Sequence, residues 1–354
     1  MKIDRQQAFS GTMAADIAAA PLQDYLARHI EDFTGPLTLV RFRGGQSNPT
    51  YLLTTPERRY VLRRKPFGRL LPSAHAVERE YQVTAALATA GFPVARPLHL
   101  CTDDSVIGAA FYVMEHIDGL VFWQPHAPGL SGENRAALFD SLNETIARLH
   151  RLDPAALGLD GFGRPEGYMA RQIRRWSEQY RASSTETIAA MDRLIAWLPE
   201  ACPSTAGAAI VHGDFRLDNC IIANDQPRVA AVLDWELSTI GDPLADFTYH
   251  LMQWFMPVSE TGAGVGTLLG HLDEPGLPRL EDYVAGYCHR TGRSGIPNLD
   301  TYMAYNFFRL AAILQGILGR VRDGTAASPD AAAMARQVRP LAETAWTFAR
   351  KAGA

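Results

Sequence analysis

Lysine is almost missing from this chain. Of 34 lysines and arginines in 354 residues, only Lys2, Lys65 and Lys351 are lysines. So general a bias follows genomic composition rather than function, but it leaves Lys65 as the one lysine away from the termini. A surplus of either charge is missing too. A net charge of −4 and a pI near 6.2 exclude nucleic acid and anionic membrane as the main partner. No run approaches the ~18 apolar residues of a membrane span. Met1-Lys2-Ile3-Asp4-Arg5 lacks the apolar core of a signal peptide. A cytoplasmic location is therefore expected.

Cysteine is sparse: Cys101, Cys202, Cys220 and Cys288 form no C-x-x-C pair and read as free thiols. The ten histidines show no ligand spacing, so no zinc site is expected. Gly262-Ala263-Gly264-Val265-Gly266-Thr267 imitates a nucleotide loop, but no Gly-Lys-Ser/Thr follows and no strand precedes it. It reads as a connector. Internal repeats and low-complexity tails are absent.

What remains is an ordinary apolar fraction of 47% arranged in two styles. Helical spacing over residues 13–30 gives way to strands at 37–42, 50–54 and 60–65. A helix follows at 73–90, then strands near 95–101 and 109–117. This β-β-β-α-β-β order is α+β rather than alternating βαβ. Beyond Gly119 the pattern turns helical, at 132–151, 168–180, 185–198, 242–256, 278–292, 299–322 and 329–351. One β-rich island, 209–234, interrupts it. The expected division is a nucleotide-binding lobe at 1–117, built on a five-stranded sheet plus helix, and a helical lobe at 118–354.

That island holds the chemistry. Asp214 and Asn219 have the Asp-x-x-x-x-Asn spacing of a kinase catalytic loop, where the aspartate faces the substrate hydroxyl and the asparagine holds a metal. Asp234 ends an apolar strand fifteen residues further on, where a second metal-binding carboxylate is required. Phosphoryl transfer needs Mg²⁺ on phosphate oxygens, hard oxygen ligands to hold it, and a carboxylate to orient the attacking oxygen.

His212-Gly213-Asp214-Phe215-Arg216-Leu217-Asp218-Asn219, Val232-Leu233-Asp234-Trp235-Glu236 and Gly241-Asp242-Pro243-Leu244-Ala245-Asp246 resemble the aminoglycoside phosphotransferase/choline-kinase-like superfamily. Val61-Leu62-Arg63-Arg64-Lys65-Pro66 and Leu71–Tyr81 look most like the phosphotransferase domains related to those fused to acyl-CoA dehydrogenases. The likeness runs from about residue 35 to 325. It implies a protein-kinase-like bilobal fold, with a small β-rich N-lobe and a larger, mainly helical C-lobe, and ATP-dependent transfer to a small-molecule hydroxyl. By it Asp214 is the catalytic base, and Asn219 and Asp234 hold Mg²⁺. His212 and Asp246 read as braces of the loop.

In the small lobe, Gly44-Gly45-Gln46-Ser47-Asn48 resembles the hairpin tip that covers phosphates, with Ser47 and Asn48 nearest them. Many relatives carry lysine where this chain has Arg63. Strand alternation puts Arg63 and Lys65 on one face and Arg64 on the other. Register favours Arg63 as the phosphate contact, with Lys65 the alternative, and Glu80 as the helix partner ahead of Glu78. Phe111–Gly119 resembles the passage between lobes, where backbone groups of Glu115 and Ile117 would bind adenine.

The acceptor is not legible in these residues. The likeness to dehydrogenase-linked domains implies a hydroxyacyl-CoA or hydroxy acid. An aminoglycoside, sugar or amino-alcohol kinase is the alternative, and a catalytically silent nucleotide-binding module the second. Trp235, Trp254, Tyr305 and Arg309 are candidates for lining an acceptor pocket. ATP versus GTP and the oligomeric state stay open.

Overall fold

Alternation of buried Tyr60, Leu62 and Arg64 with half-buried Val61 and Arg63 gives the first part of the molecule its two-faced sheet. The computed structural model describes residues 11–14, 16–42, 48–67, 75–203, 207–258, 266–322 and 336–354. Its sheet comprises β1 (Gly11–Met13), β2 (Thr38–Phe42), β3 (Thr50–Thr54), β4 (Arg59–Arg64), β5 (Pro97–Cys101) and β6 (Phe111–Glu115). The spatial order is β1-β2-β3-β4-β6-β5, antiparallel throughout. One face carries Tyr51, Leu53, Leu62, Phe111 and Val113, and α1 (Ala19–His29) buries Leu22 and Leu26 against them. On the other face α2 (Val77–Thr89) packs Val77 against Ala110 and Tyr112.

The sheet has six strands, not the expected five. Gly11–Met13 is too short to show alternation, yet it pairs with the free edge of β2, and α1 begins only at Ala19.

The chain divides into two compact units. The first takes the described residues of Met1–Val121, Ala155–Phe162 and Asn219–Ser238. The second takes Phe122–Pro154, Gly163–Asp218 and Thr239–Ala354. Residues 155–162 and 219–238, expected within a domain at 118–354, thus group with the first unit. Backbone bonding gives the reason for the latter. Strands Cys220–Ile222 and Val229–Val232 form an antiparallel hairpin. Leu120 and Ile222 exchange N–H···O bonds of 2.8 Å, and the Val232 amide donates to the Pro93 carbonyl at 2.8 Å. Gly119 lets the chain pass here, because a Cβ would collide with Ile221 and the Ile222 carbonyl.

The second unit is mainly helical: α3 (Gly132–Arg151), α4 (Tyr168–Ser183), α5 (Ala189–Ala201), α6 (Pro243–Leu251), α7 (Leu280–Thr291), α8 (Leu299–Arg322) and α9 (Val338–Lys351). Ser131 caps α3 by accepting the Asn134 amide. Asp242 caps α6 by accepting those of Leu244 and Ala245, with Pro243 in the first turn. Tyr302, Tyr305, Phe307 and Phe308 of α8 are buried, so this helix is the spine of the unit's core. A two-stranded pair, Ala209–Val211 with Thr239–Gly241, brings the segment after Val211 to α6. Among the described residues no helix is long and apolar enough to cross a membrane.

Candidate active site

Within the first unit, three carboxylates converge on one arginine. Arg63, on the α2-facing side of β4, forms an ion pair from Nε to Glu80 Oε2 at 2.7 Å. Its Nη2 reaches Asp234 Oδ1 at 2.7 Å and Glu236 Oε2 at 3.6 Å. Burial works against the guanidinium charge, but Glu80 and Asp234 outweigh it and raise its pKa. Burial pushes the Glu80 carboxyl up, against the pull of Arg63. Glu80 is further held by Asn48 Nδ2 at 2.7 Å and the Tyr112 hydroxyl at 3.3 Å.

The hairpin sets the metal-type residues side by side. Cys220 pairs with Val232, and the Leu233 amide donates to the Asn219 carbonyl at 2.8 Å. Asp234 is therefore one residue beyond the partner of Asn219. Its backbone is left-handed, at φ 64° and ψ 62°. A non-glycine residue held there is strained, and such strain concentrates at functional positions. Asn219, Asp234 and Glu236 supply hard oxygen donors of the kind Mg²⁺ takes, so the donor set fits that ion.

The other residues singled out from sequence fall as follows. Asn48 is fully buried; its amide nitrogen serves Glu80 and its oxygen lies 3.1 Å from His75 Nδ1. Its side chain braces the arginine's partner. Lys65 Nζ pairs with Glu78 at 2.5 Å. Both anticipated cation–carboxylate couples thus exist, and the one beside Asp234 is Arg63–Glu80. Arg64, on the opposite face, pairs with Asp16 at 2.7 Å. The Glu115 amide donates to the Arg96 carbonyl at 3.0 Å, so it is already spent. Ile117 follows in irregular chain just past β6. Ser47 and the glycines before it lie outside the described residues.

In the second unit, Asp214 is held by Tyr249 and Arg216. Oδ1 accepts the Tyr249 hydroxyl at 2.6 Å, and Arg216 Nε lies 3.2 Å away. Arg216 also pairs with Asp218 at 3.0 Å. Burial and the neighbouring Asp214 charge push the Tyr249 phenol far up, so it remains a donor. Neither neighbour was singled out from sequence. The loop itself hangs on Asp246, whose Oδ2 accepts the His212 amide and Oδ1 the Gly213 amide, each at 2.8 Å. His150 Nε2 lies 3.1 Å from Oδ2. Burial alone would raise this carboxyl, but His150 and the His212 amide hold it below its usual range. Gly213 takes φ 84°, a conformation suited to glycine. His212 is fully buried and accepts the Asp214 amide on Nδ1 at 3.1 Å. Asp246 and His212 are braces, as their positions in the motif imply.

Of the acceptor candidates, Trp235 is buried in the first unit, edge-on to Phe92 with its indole N–H on the Val232 carbonyl. Trp254 packs against Phe139 and Tyr283, and Tyr305 is buried in α8. These three are core residues, and only Arg309 touches the Asp214 loop, donating to the Gly213 carbonyl at 2.7 Å. A cavity beside Asp214 is lined by Trp123, Pro125, Arg216, Leu217, Tyr249 and Met252, among others. Its walls are largely apolar.

Folding also gathers a cluster that spacing did not reveal. Donor atoms of His126, His271 and Glu274 lie within 4.8 Å of one another. The two imidazoles stack at 3.7 Å and 7°, and Arg135 occupies the second Glu274 oxygen at 3.0 Å. In-plane lone pairs of two parallel stacked rings cannot meet on one ion unless a ring turns. The cluster is a structural stack.

Comparison with known proteins agrees with this geometry. The profile of the phosphotransferase enzyme family matches residues 38–292. Acyl-CoA dehydrogenase family member 10 of Mus musculus is 44% identical over 340 residues, covering 94% of this chain; the chain spans 31% of that relative. A solved Ralstonia eutropha structure bearing a provisional aminoglycoside phosphotransferase name is 44% identical, with a TM-score of 0.84 over 95% of this chain and 99% of its own. Choline kinase of Cryptosporidium parvum, 10% identical, shares the fold at a TM-score of 0.64 over 93% of this chain and 95% of its own. The α+β, kinase-like fold and the resemblance carried by His212–Asn219 and Val232–Glu236 are borne out: the chain belongs to the phosphotransferase enzyme family.

Proposed function

We propose that this chain is an ATP-dependent kinase for a small-molecule hydroxyl, acting with Mg²⁺. The observation that carries the reading is the gripped carboxylate. Tyr249 donates to Oδ1 of Asp214 and Arg216 lies beside the same oxygen, which fixes the rotamer of the carboxylate assigned to receive the acceptor's proton. A base held this way meets the geometric demand of general-base catalysis. Asn219 and Asp234 are the residues to hold the metal, with Glu236 as a further donor. The bound Mg²⁺ would neutralise phosphate charge.

Arg63 is assigned to the phosphates. Among described residues its Nη1 has no partner, while Glu80 and Asp234 fix the rest of the fork. A guanidinium is suited to two phosphate oxygens at once. Lys65 is the alternative cation, already paired with Glu78. The Ser47 side chain, near the phosphates, and backbone groups of Glu115 and Ile117, at the adenine, complete the nucleotide assignment. The acceptor is a hydroxyacyl-CoA or hydroxy acid by likeness to the dehydrogenase-linked relatives.

The test is transfer of labelled γ-phosphate to sugars, amino alcohols, aminoglycosides and 3-, 4- and 5-hydroxyacyl-CoAs, with Asp214→Ala as control. Transfer lost in a folded Asp214→Ala variant is expected. Undiminished transfer would remove Asp214 from the role of base. Nucleotide binding without turnover across the panel would favour a silent binding module.

A further inference from the structure

Three arginines are buried among the described residues, and two of them are neutralised. Arg64 pairs with Asp16, and Arg135 with Glu274. Arg309 is the exception. It sits in the middle of α8, 8% exposed, and no carboxylate among the described residues lies within ion-pair distance. Its single hydrogen bond among the described residues goes to the Gly213 carbonyl at 2.7 Å. Ring faces of Tyr249 and Trp176 lie 4.9 and 5.8 Å from its guanidinium carbon. A guanidinium carries five N–H donors, so four are unspent. A desolvated cation is costly unless an anion or oxygen acceptors complete it, and cation–π contact replaces only part of the lost hydration.

The place of this cation is as telling as its lack of a partner. The carbonyl it holds belongs to the residue before Asp214, and the ring it covers belongs to the tyrosine that grips Asp214. Tyr249 and Leu310, the chain neighbour of Arg309, both line the cavity beside that carboxylate. Arg309 thus touches the backbone of the loop that carries Asp214 and the ring that holds it.

We propose that Arg309 is the acceptor-recognition residue: its unspent donors take an acyl oxygen of the acceptor, a carboxylate or a thioester carbonyl, near the hydroxyl that is phosphorylated. The proposal rests on the kinase reading above. It makes the site select for oxygen-rich acyl acceptors and against cationic ones, because an ammonium brought to Arg309 meets a like charge in a desolvated place.

The test uses the wild type, Arg309→Lys and Arg309→Gln. The probes are 3-, 4- and 5-hydroxyoctanoate, their N-acetylcysteamine thioesters and the matching amino alcohols. Binding is read by calorimetry and transfer by labelled ATP. The wild type is expected to bind acids or thioesters at least tenfold more tightly than the amino alcohols, and the acid–thioester comparison identifies which oxygen is read. Arg309→Gln should lose at least tenfold in acceptor affinity and KM while its ATP affinity stays within twofold. Arg309→Lys should recover part of that loss. Equal wild-type affinity for acyl and amino probes would overturn the proposal, and needs no variant to fold. So would an equal loss on every probe in Arg309→Gln. Selective acyl binding without transfer would leave Arg309 in its role and count instead against the kinase reading.

Discussion

Arg63 and Asp234 are 171 residues apart in sequence, yet their side chains meet at 2.7 Å. The contact ties a strand cation facing α2 to a carboxylate held in a left-handed backbone. Charge on Asp234 therefore matters to both halves of the nucleotide assignment.

Asp234→Asn should separate chemistry from folding. Asparagine tolerates left-handed φ nearly as well as aspartate, so stability is expected to fall by no more than about 1 kcal/mol. Phosphate transfer should drop at least a hundredfold, because an amide is a poor ligand for a hard cation. Urea unfolding and a transfer assay on one preparation check both halves; retained transfer would withdraw Asp234 as a metal ligand.

Glu80→Ala is a stability experiment. Glu80 is 1% exposed and anchors Arg63, Asn48 and Tyr112. Removing one member of a buried pair strands the other, at a cost of about 3–5 kcal/mol. Denaturant midpoints measure this. A loss below about 1 kcal/mol would mean that Asp234 and Glu236 suffice for the arginine.

Tyr249→Phe keeps the ring under Arg309 and deletes only the donor to Asp214. A carboxylate free to rotate is a poorer base, and kcat should fall by about ten- to a hundredfold, with KM for ATP unchanged. A parallel rise in the ATP KM would show instead that the hydroxyl acts on the wider fold.

His250 gives a pH dependence of stability. It is buried, with Nδ1 3.3 Å from the Phe215 carbonyl and Nε2 2.8 Å from the Tyr283 hydroxyl. Burial depresses its pKa from 6.5 to about 4. Between those values the unfolded chain binds the proton and the folded chain does not, so stability is fully present above pH 6.5 and is lost as pH falls toward 4. The loss between pH 7.5 and 5 is about 2 kcal/mol from this group. His250→Gln should flatten that part of the urea-unfolding profile; an unchanged slope would assign it to other groups.

Local pattern carried much of the fold into the sequence. Alternation at 60–64 put Arg63 and Arg64 on opposite faces, and each finds its carboxylates there. α3 and α8 run as their apolar spacing reads. What was not legible depends on contacts that no spacing encodes. Tyr249 reaches Asp214 across 35 residues, and Arg309 reaches Gly213 across 96. Helical periodicity marks both as buried but cannot say which loop they serve. The bond from Asn48 to Glu80 was not legible for a related reason: 32 residues separate the two in sequence.

The hairpin at 219–238 has a consequence for how the chain is made. Arg63 and Glu80 leave the ribosome early, whereas Asp234 and Glu236 come more than 150 residues later. The first unit has no finished charge balance until that hairpin arrives, with helices α3, α4 and α5 of the other unit synthesised in between. A fragment cut after Val121 would carry the sheet but lack two of the three carboxylates around its arginine. Such a fragment should need the 219–238 peptide supplied in trans before it folds as the whole protein does.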